Sequence, residues 1–136
     1  MSAWRRRALE LFPFLRHSLL TGSVYEVFFL LPDVSEVFAS GDTNLLQRMF
    51  GFAEWCAEQT AKDLWNAAGV VFYEHLFDGN NWAHREEVVK FLSPRVVADC
   101  SELWEHWLSA EKFTKVQQLL AERTEHLYSE ARRTCD

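Results

Sequence analysis

Glycine and proline are scarce in this chain, 5 and 3 among 136 residues, against 6 tryptophans and 11 phenylalanines. That scarcity, with hydrophobic residues at 49%, excludes a disordered chain and points to a folded one with a large aromatic core. A domain of this length buries about two-thirds of its unfolded surface, so residues 1–136 read as a single domain that needs no staple. Cysteine is scarce as well. Cys56, Cys100 and Cys135 are odd in number, form no CxxC and lie near no His, which excludes a disulfide framework and a paired zinc site and suits a reducing, cytoplasmic compartment.

Basic charge is the minority sign. Lys and Arg number 14 against 20 Asp and Glu, a net charge of -6 that repels phosphate backbones, so no nucleic-acid partner is expected. The one dense basic cluster, Arg5 to Arg7, reads as a solvated helix face, because membrane anchoring takes a second signal. No uncharged apolar run reaches the ~18 residues of a membrane span. Glu10, Pro13, Arg16 and His17 interrupt any signal-peptide core.

The motifs of enzyme chemistry are missing too. His75 follows Glu74 and His106 follows Glu105, but neither has the second His at i+4 that a zinc helix needs, and the Glu-x-x-His of di-iron bundles does not occur. There is no GxSxG and no phosphate-cradling glycine loop. Cys56 and Cys100 fall on apolar stripes, where a thiol packs and its pKa rises. The expectation is therefore no enzyme, no catalytic residue, no metal and no cofactor.

What is present is helical pattern. The stretch Thr60 to Gly79, TAKDLWNAAGVVFYEHLFDG, places Leu64, Trp65, Ala68, Val71, Phe72, His75 and Leu76 on one stripe, with Val70, Tyr73 and Phe77 opposite. A helix apolar on both sides is a central one. Thr60 with Asp63 resembles a capping box, and Gly79 sits where a left-handed C-terminal cap belongs. Gly69 inside it costs about 1 kcal/mol against Ala, which suggests close helix approach.

Around this element, residues 3 to 12 read as an amphipathic helix that Pro13 bends and the next residues continue to Thr21-Gly22. Val24 to Leu31 reads as a buried helix and residues 33 to 40 as a short one closed by Gly41. Asp42 caps a helix to about Gln59, with Leu45, Leu46, Met49, Phe50, Ala53 and Cys56 inward. Ala83 to Phe91 is a short helix. Ser93-Pro94 opens another that turns Val96, Val97, Cys100, Leu103, Trp104, Trp107 and Leu108 inward. The last, from about Glu111 to Arg133, buries Phe113, Val116, Leu120, Leu127 and Ala131. No hairpin signal occurs. The fold class is all-α, a compact antiparallel bundle of about six or seven helices around a central apolar one. Residues 42 to 59 and 60 to 78 resemble one helical-repeat unit, although no sequence period recurs.

The candidate partner-binding residues are aromatic and acidic side chains off the inner stripes: Trp55, Trp82, Asp78, Glu102 and Glu105. Tryptophan is enriched in interface centres and a charged rim steers a partner of opposite sign. Two other readings stand beside that one: a neighbouring helix covers Trp55 while Trp82 plugs the bundle end, or the same aromatics join two copies as a homodimer.

The run LLPDVSEVFASGDTNLLQRMFGFAEWCAEQTAKDLWNAAGVVFYEHLFDG, followed by VVKFLSPRV, resembles a family of small uncharacterised bacterial all-helical domains. Leu45, Leu46, Arg48, Phe50, Phe52, Glu54, Asn66, Val71, Glu74, Leu76, Leu92 and Pro94 carry the likeness, over the middle half of the chain. Such domains are similar to proteins encoded beside secreted or contact-dependent toxins. The resemblance implies an immunity protein that neutralises a basic toxin domain, and it supplies no site residue.

Overall fold

Side-chain caps fix where the long helices begin. Asp42 accepts from the Leu45 amide at 3.0 Å, Ser93 from the Val96 amide at 3.2 Å and Ser109 from the Lys112 amide at 3.2 Å. Each satisfies a first-turn N–H that has no partner inside its helix. The computed structural model describes residues 1–19 and 21–134; Leu20, Cys135 and Asp136 lie outside the described residues.

The fold is all-α, and no strand occurs among the described residues. Its helices there are α1 (Ala3–Leu11), α2 (Val24–Leu30), α3 (Val34–Ser40), α4 (Thr43–Ala57), α5 (Lys62–Ala67), α6 (Arg85–Val88), α7 (Pro94–Trp107) and α8 (Ala110–Thr134). These are more pieces than the six or seven expected. Pro32 keeps Leu31 extended at ψ 148° and separates α2 from α3, the break expected there. Gly41 ends α3 in the left-handed region at φ 75°, and Gly79 takes φ 51°.

A chain of phenylalanine rings runs through the core. Phe12 of α1 meets Phe52 at 5.8 Å, Phe52 meets Phe28 at 5.5 Å, and Phe28 meets Phe72 at 5.7 Å. Phe72 meets Phe50 at 5.1 Å, and Phe50 stacks on Phe91 at 4.6 Å. Pairs of this kind add about 0.5–1.5 kcal/mol each to the burial of their area. The core they belong to extends from Ala8 to Val116.

The expected central helix is central but not continuous. After α5 the backbone widens into a π-helical turn at Ala68–Phe72 and tightens into a 3₁₀ turn at Tyr73–His75. These residues pack against α2, α4 and α7. Burial follows the break: the inward pairs are Ala67 and Ala68, then Phe72 and Tyr73, then Leu76 and Phe77. The first step is five residues and the second four, because a π turn holds one more residue than an α turn.

Several expectations are corrected here, those at Val70, Val71 and His75 by that extra residue. Val70, expected in the far-side apolar face, is 38% exposed, and Val71 is only half-buried. His75 turns out to solvent instead of inward. Trp65 is 43% exposed where the stripe placed it inside. Tyr73 and Phe77 are buried as expected. Thr60 caps nothing: the helix starts after Ala61, with no side-chain cap. Gly69 permits no close helix approach, since a Cβ there would meet no atom within 4 Å.

Other departures are local. Pro13 stops α1, and only the 3₁₀ turn Pro13–Leu15 follows before irregular chain. The stretch 79 to 91 is the 3₁₀ turn Gly79–His84, then α6, then a second 3₁₀ turn, Val89–Phe91. Trp107 is half-exposed at the end of α7. Along α8, Val116 is buried and Phe113 and Leu120 are half-buried, but every residue from 124 to 133 is exposed, including Leu127 and Ala131. The amphipathic pattern there continues past the last element it packs against.

Polar side chains tie the junctions. Arg48 donates to the Leu11 carbonyl at 2.5 Å, joining α4 to the end of α1, and Asn66 donates to the Tyr25 hydroxyl at 2.9 Å, joining α5 to α2. Arg5, read as solvated, donates to the carbonyls of Leu19 and Gly22 and holds the turn after α1.

Candidate functional site

The π turn opens the molecule where α5 and the residues after it face α7. A groove of about 590 Å³ lies between them, within the range of sites that hold drug-sized ligands. Gly69 and Tyr73 come from the broken helix, and Cys100 and Leu103 from α7. Trp65 and Val70 stand exposed at its edge. The π turn produces this edge by rotating Val70 away from the core, and Gly69 leaves the floor open because no side chain fills it. Single π turns occur often at functional sites.

Polar groups around the groove are few: Gln59, Asn66, Arg95, Asp99 and Glu102. Arg95 pairs loosely with Asp99 at 4.0 Å. Glu102 is exposed and makes no ion pair among the described residues. Burial pushes the Cys100 thiol up to about 12 from 9.0, with a smaller contribution from the Asp99 charge, so it stays protonated at neutral pH and is a poor nucleophile. Cys56, beneath α1 and away from the groove lining, is pushed up to about 12 for the same first reason, with Arg7 partly opposing.

Of the five candidate residues, the groove takes in only Glu102. Trp55 is half-buried, stacks on Phe52 at 6.3 Å and carries the Arg7 guanidinium 4.8 Å above its ring. Trp82, also half-buried, lies under both Arg85 at 4.6 Å and Lys112 at 5.0 Å, which links the 79–84 turn to the start of α8. Asp78 shares a 2.5 Å hydrogen bond with Nδ1 of His75. Glu105 is exposed on α7.

His75, Asp78, Glu74 and Trp107 form a second cluster. The Trp107 indole donates to Glu74 and lies tilted at 54° to the His75 ring with centroids 5.3 Å apart, while Nε2 of His75 lies 3.5 Å from Glu74. It joins the 3₁₀ turn to the end of α7. Among the described residues no three His, Cys, Asp or Glu side chains are gathered as a metal site requires. No helix there is long and apolar enough to cross a membrane.

Sequence reasoning missed Trp65, Val70, Asn66 and Leu103 as site residues. The available signal was the order Gly69-Val70-Val71 in mid-helix: a flexible residue followed by two β-branched ones is a weak point in an α-helical run.

A family model described as a domain of unknown function (DUF7674) matches residues 5–107, which takes in the whole groove and stops where α7 ends. No curated protein and no solved structure matches the chain.

Proposed function

The chain belongs to the DUF7674 family, and from that footing we propose that it is a binding protein without turnover, which receives a protein partner in the groove between α5, the π turn and α7. The observation that carries this reading is the exposed pair Trp65 and Val70 at the rim of an open groove with Glu102, which has no ion-pair partner among the described residues. Exposed tryptophan beside apolar surface is the composition of an interface centre, and a net charge of -6 favours a basic partner.

The narrower form of the reading is an immunity protein that occludes a basic toxin domain in the cytoplasm. It is supported by the resemblance carried by residues 30 to 79 and 88 to 96 and by the free thiols Cys56 and Cys100, which suit a reducing compartment.

Calorimetric titration against a basic toxin domain encoded beside this chain tests it. Trp65→Ala is expected to weaken binding by roughly tenfold or more, as for an interface hot spot, and Glu102→Lys with Glu105→Lys to weaken it further. Unchanged affinity in both variants, or a dimer in solution that hides Trp65, contradicts the proposal.

A further inference from the structure

The tryptophans of this molecule divide by what lies over them. Trp4 carries Arg5 at 4.6 Å, Trp55 carries Arg7 at 4.8 Å, and Trp82 carries Arg85 and Lys112. Trp104 is buried against Phe77, and Trp107 is occupied by His75, His106 and Glu74. Trp65 alone, among the described residues, has neither a cation nor another ring over its indole, although it is 43% exposed.

Its surroundings offer groups that can hold a cation. Glu102 lines the same groove without an ion-pair partner among the described residues, and the groove's one cation, Arg95, is engaged by Asp99. Asn66 spends one N–H on the Tyr25 hydroxyl and so keeps its carbonyl oxygen to accept a donor. A guanidinium fits this set: its flat face stacks on an indole, and its edge presents donors in a fork that a carboxylate accepts. Elsewhere among the described residues four of the five cation–aromatic contacts use arginine.

We infer that the groove is an arginine-recognition site: an arginine side chain of the partner protein stacks on Trp65 and pairs with Glu102, while flanking apolar residues of the partner cover Val70 and Leu103. This rests on the proposed groove reading and names the chemistry by which that groove selects its partner.

The peptide N-acetyl-Leu-Arg-Leu-amide and its citrulline counterpart separate the two claims, because citrulline keeps the shape of the side chain but loses the charge and replaces one NH2 donor with a carbonyl oxygen. Binding is read from the indole N–H resonances of the uniformly labelled protein, with the Trp65 signal assigned by its absence in Trp65→Phe. The arginine peptide is expected to shift that signal, with the citrulline peptide and the Glu102→Gln variant each roughly threefold to tenfold weaker, the range of a partly exposed cation–π contact and ion pair. Equal binding of both peptides, with the Val70 and Leu103 methyls shifting alike, overturns arginine recognition and leaves the groove reading standing. Failure of both peptides to shift any groove signal overturns both.

Discussion

The indole of Trp104 donates to the backbone carbonyl of Tyr73 at 2.7 Å, across the buried seam between α7 and the end of the broken central helix. The same carbonyl accepts from the Leu76 amide at 3.2 Å. A π turn disturbs the regular i to i-4 ladder, and a side-chain donor on the facing helix holds the chain where that ladder changes pitch. This bond therefore fixes the wall of the groove.

Trp104→Phe should lower the stability of the fold by roughly 1–3 kcal/mol, from the lost hydrogen bond and the space the smaller ring leaves. Trp65→Phe, at an exposed ring, should change it by less than about 0.5 kcal/mol. Urea unfolding of both variants checks this; equal midpoints would mean that Trp104 does not hold the seam.

The two buried thiols set an alkaline limit. Burial raises Cys56 and Cys100 to about 12 from 9.0. It also moves the Tyr73 hydroxyl upward. Groups whose pKa is raised on folding keep their protons longer in the folded state. Their contribution is complete below pH 9 and is lost as pH rises towards 12, by up to about 1.4 kcal/mol per unit for each thiol. Stability should thus fall between pH 9 and pH 11, and fall less steeply in the double variant Cys56→Ala with Cys100→Ala. An identical slope in the variant contradicts the assignment. Thiol-reactive dye should label Cys56 and Cys100 far more slowly in the native protein than in the urea-unfolded chain.

Capping separates what the sequence could and could not reveal. Asp42→Ala should destabilise the fold by about 1 kcal/mol, because the Leu45 amide loses its acceptor, while Thr60→Ala should be close to neutral. Denaturant melts of the two decide it. Equal losses would mean that Thr60 caps α5 after all.

The caps at Asp42 and Ser93-Pro94, the left-handed Gly41 and Gly79 and the inner face of α4 were legible because each depends on a few adjacent residues. The break at Ala68–Phe72 was not. An α-helical reading puts Val71 and His75 on the Leu64 stripe, and only the packing of Phe72 and Tyr73 against α2, α4 and α7 selects the five-residue step that turns Val70 outward. The groove followed the same fate, since its edge exists only through that step. Trp55 and Trp82 could be placed off the stripes, and Arg85 lies three residues from Trp82, but Arg7 over Trp55 and Lys112 over Trp82 come from 48 positions upstream and 30 downstream, beyond the reach of helical periodicity. The outer half of α8 failed differently: its apolar spacing is real, but its residues from 124 to 133 stay exposed.

Amide hydrogen exchange on the chain alone and saturated with the protein partner identified by titration measures the central claim most directly. Docking in the groove predicts slowed exchange across residues 62 to 73 and 95 to 103, with α8 beyond residue 124 unchanged. Protection confined to α8 or to the face of Arg7 and Trp55, with the groove exchanging as in the free chain, would contradict it.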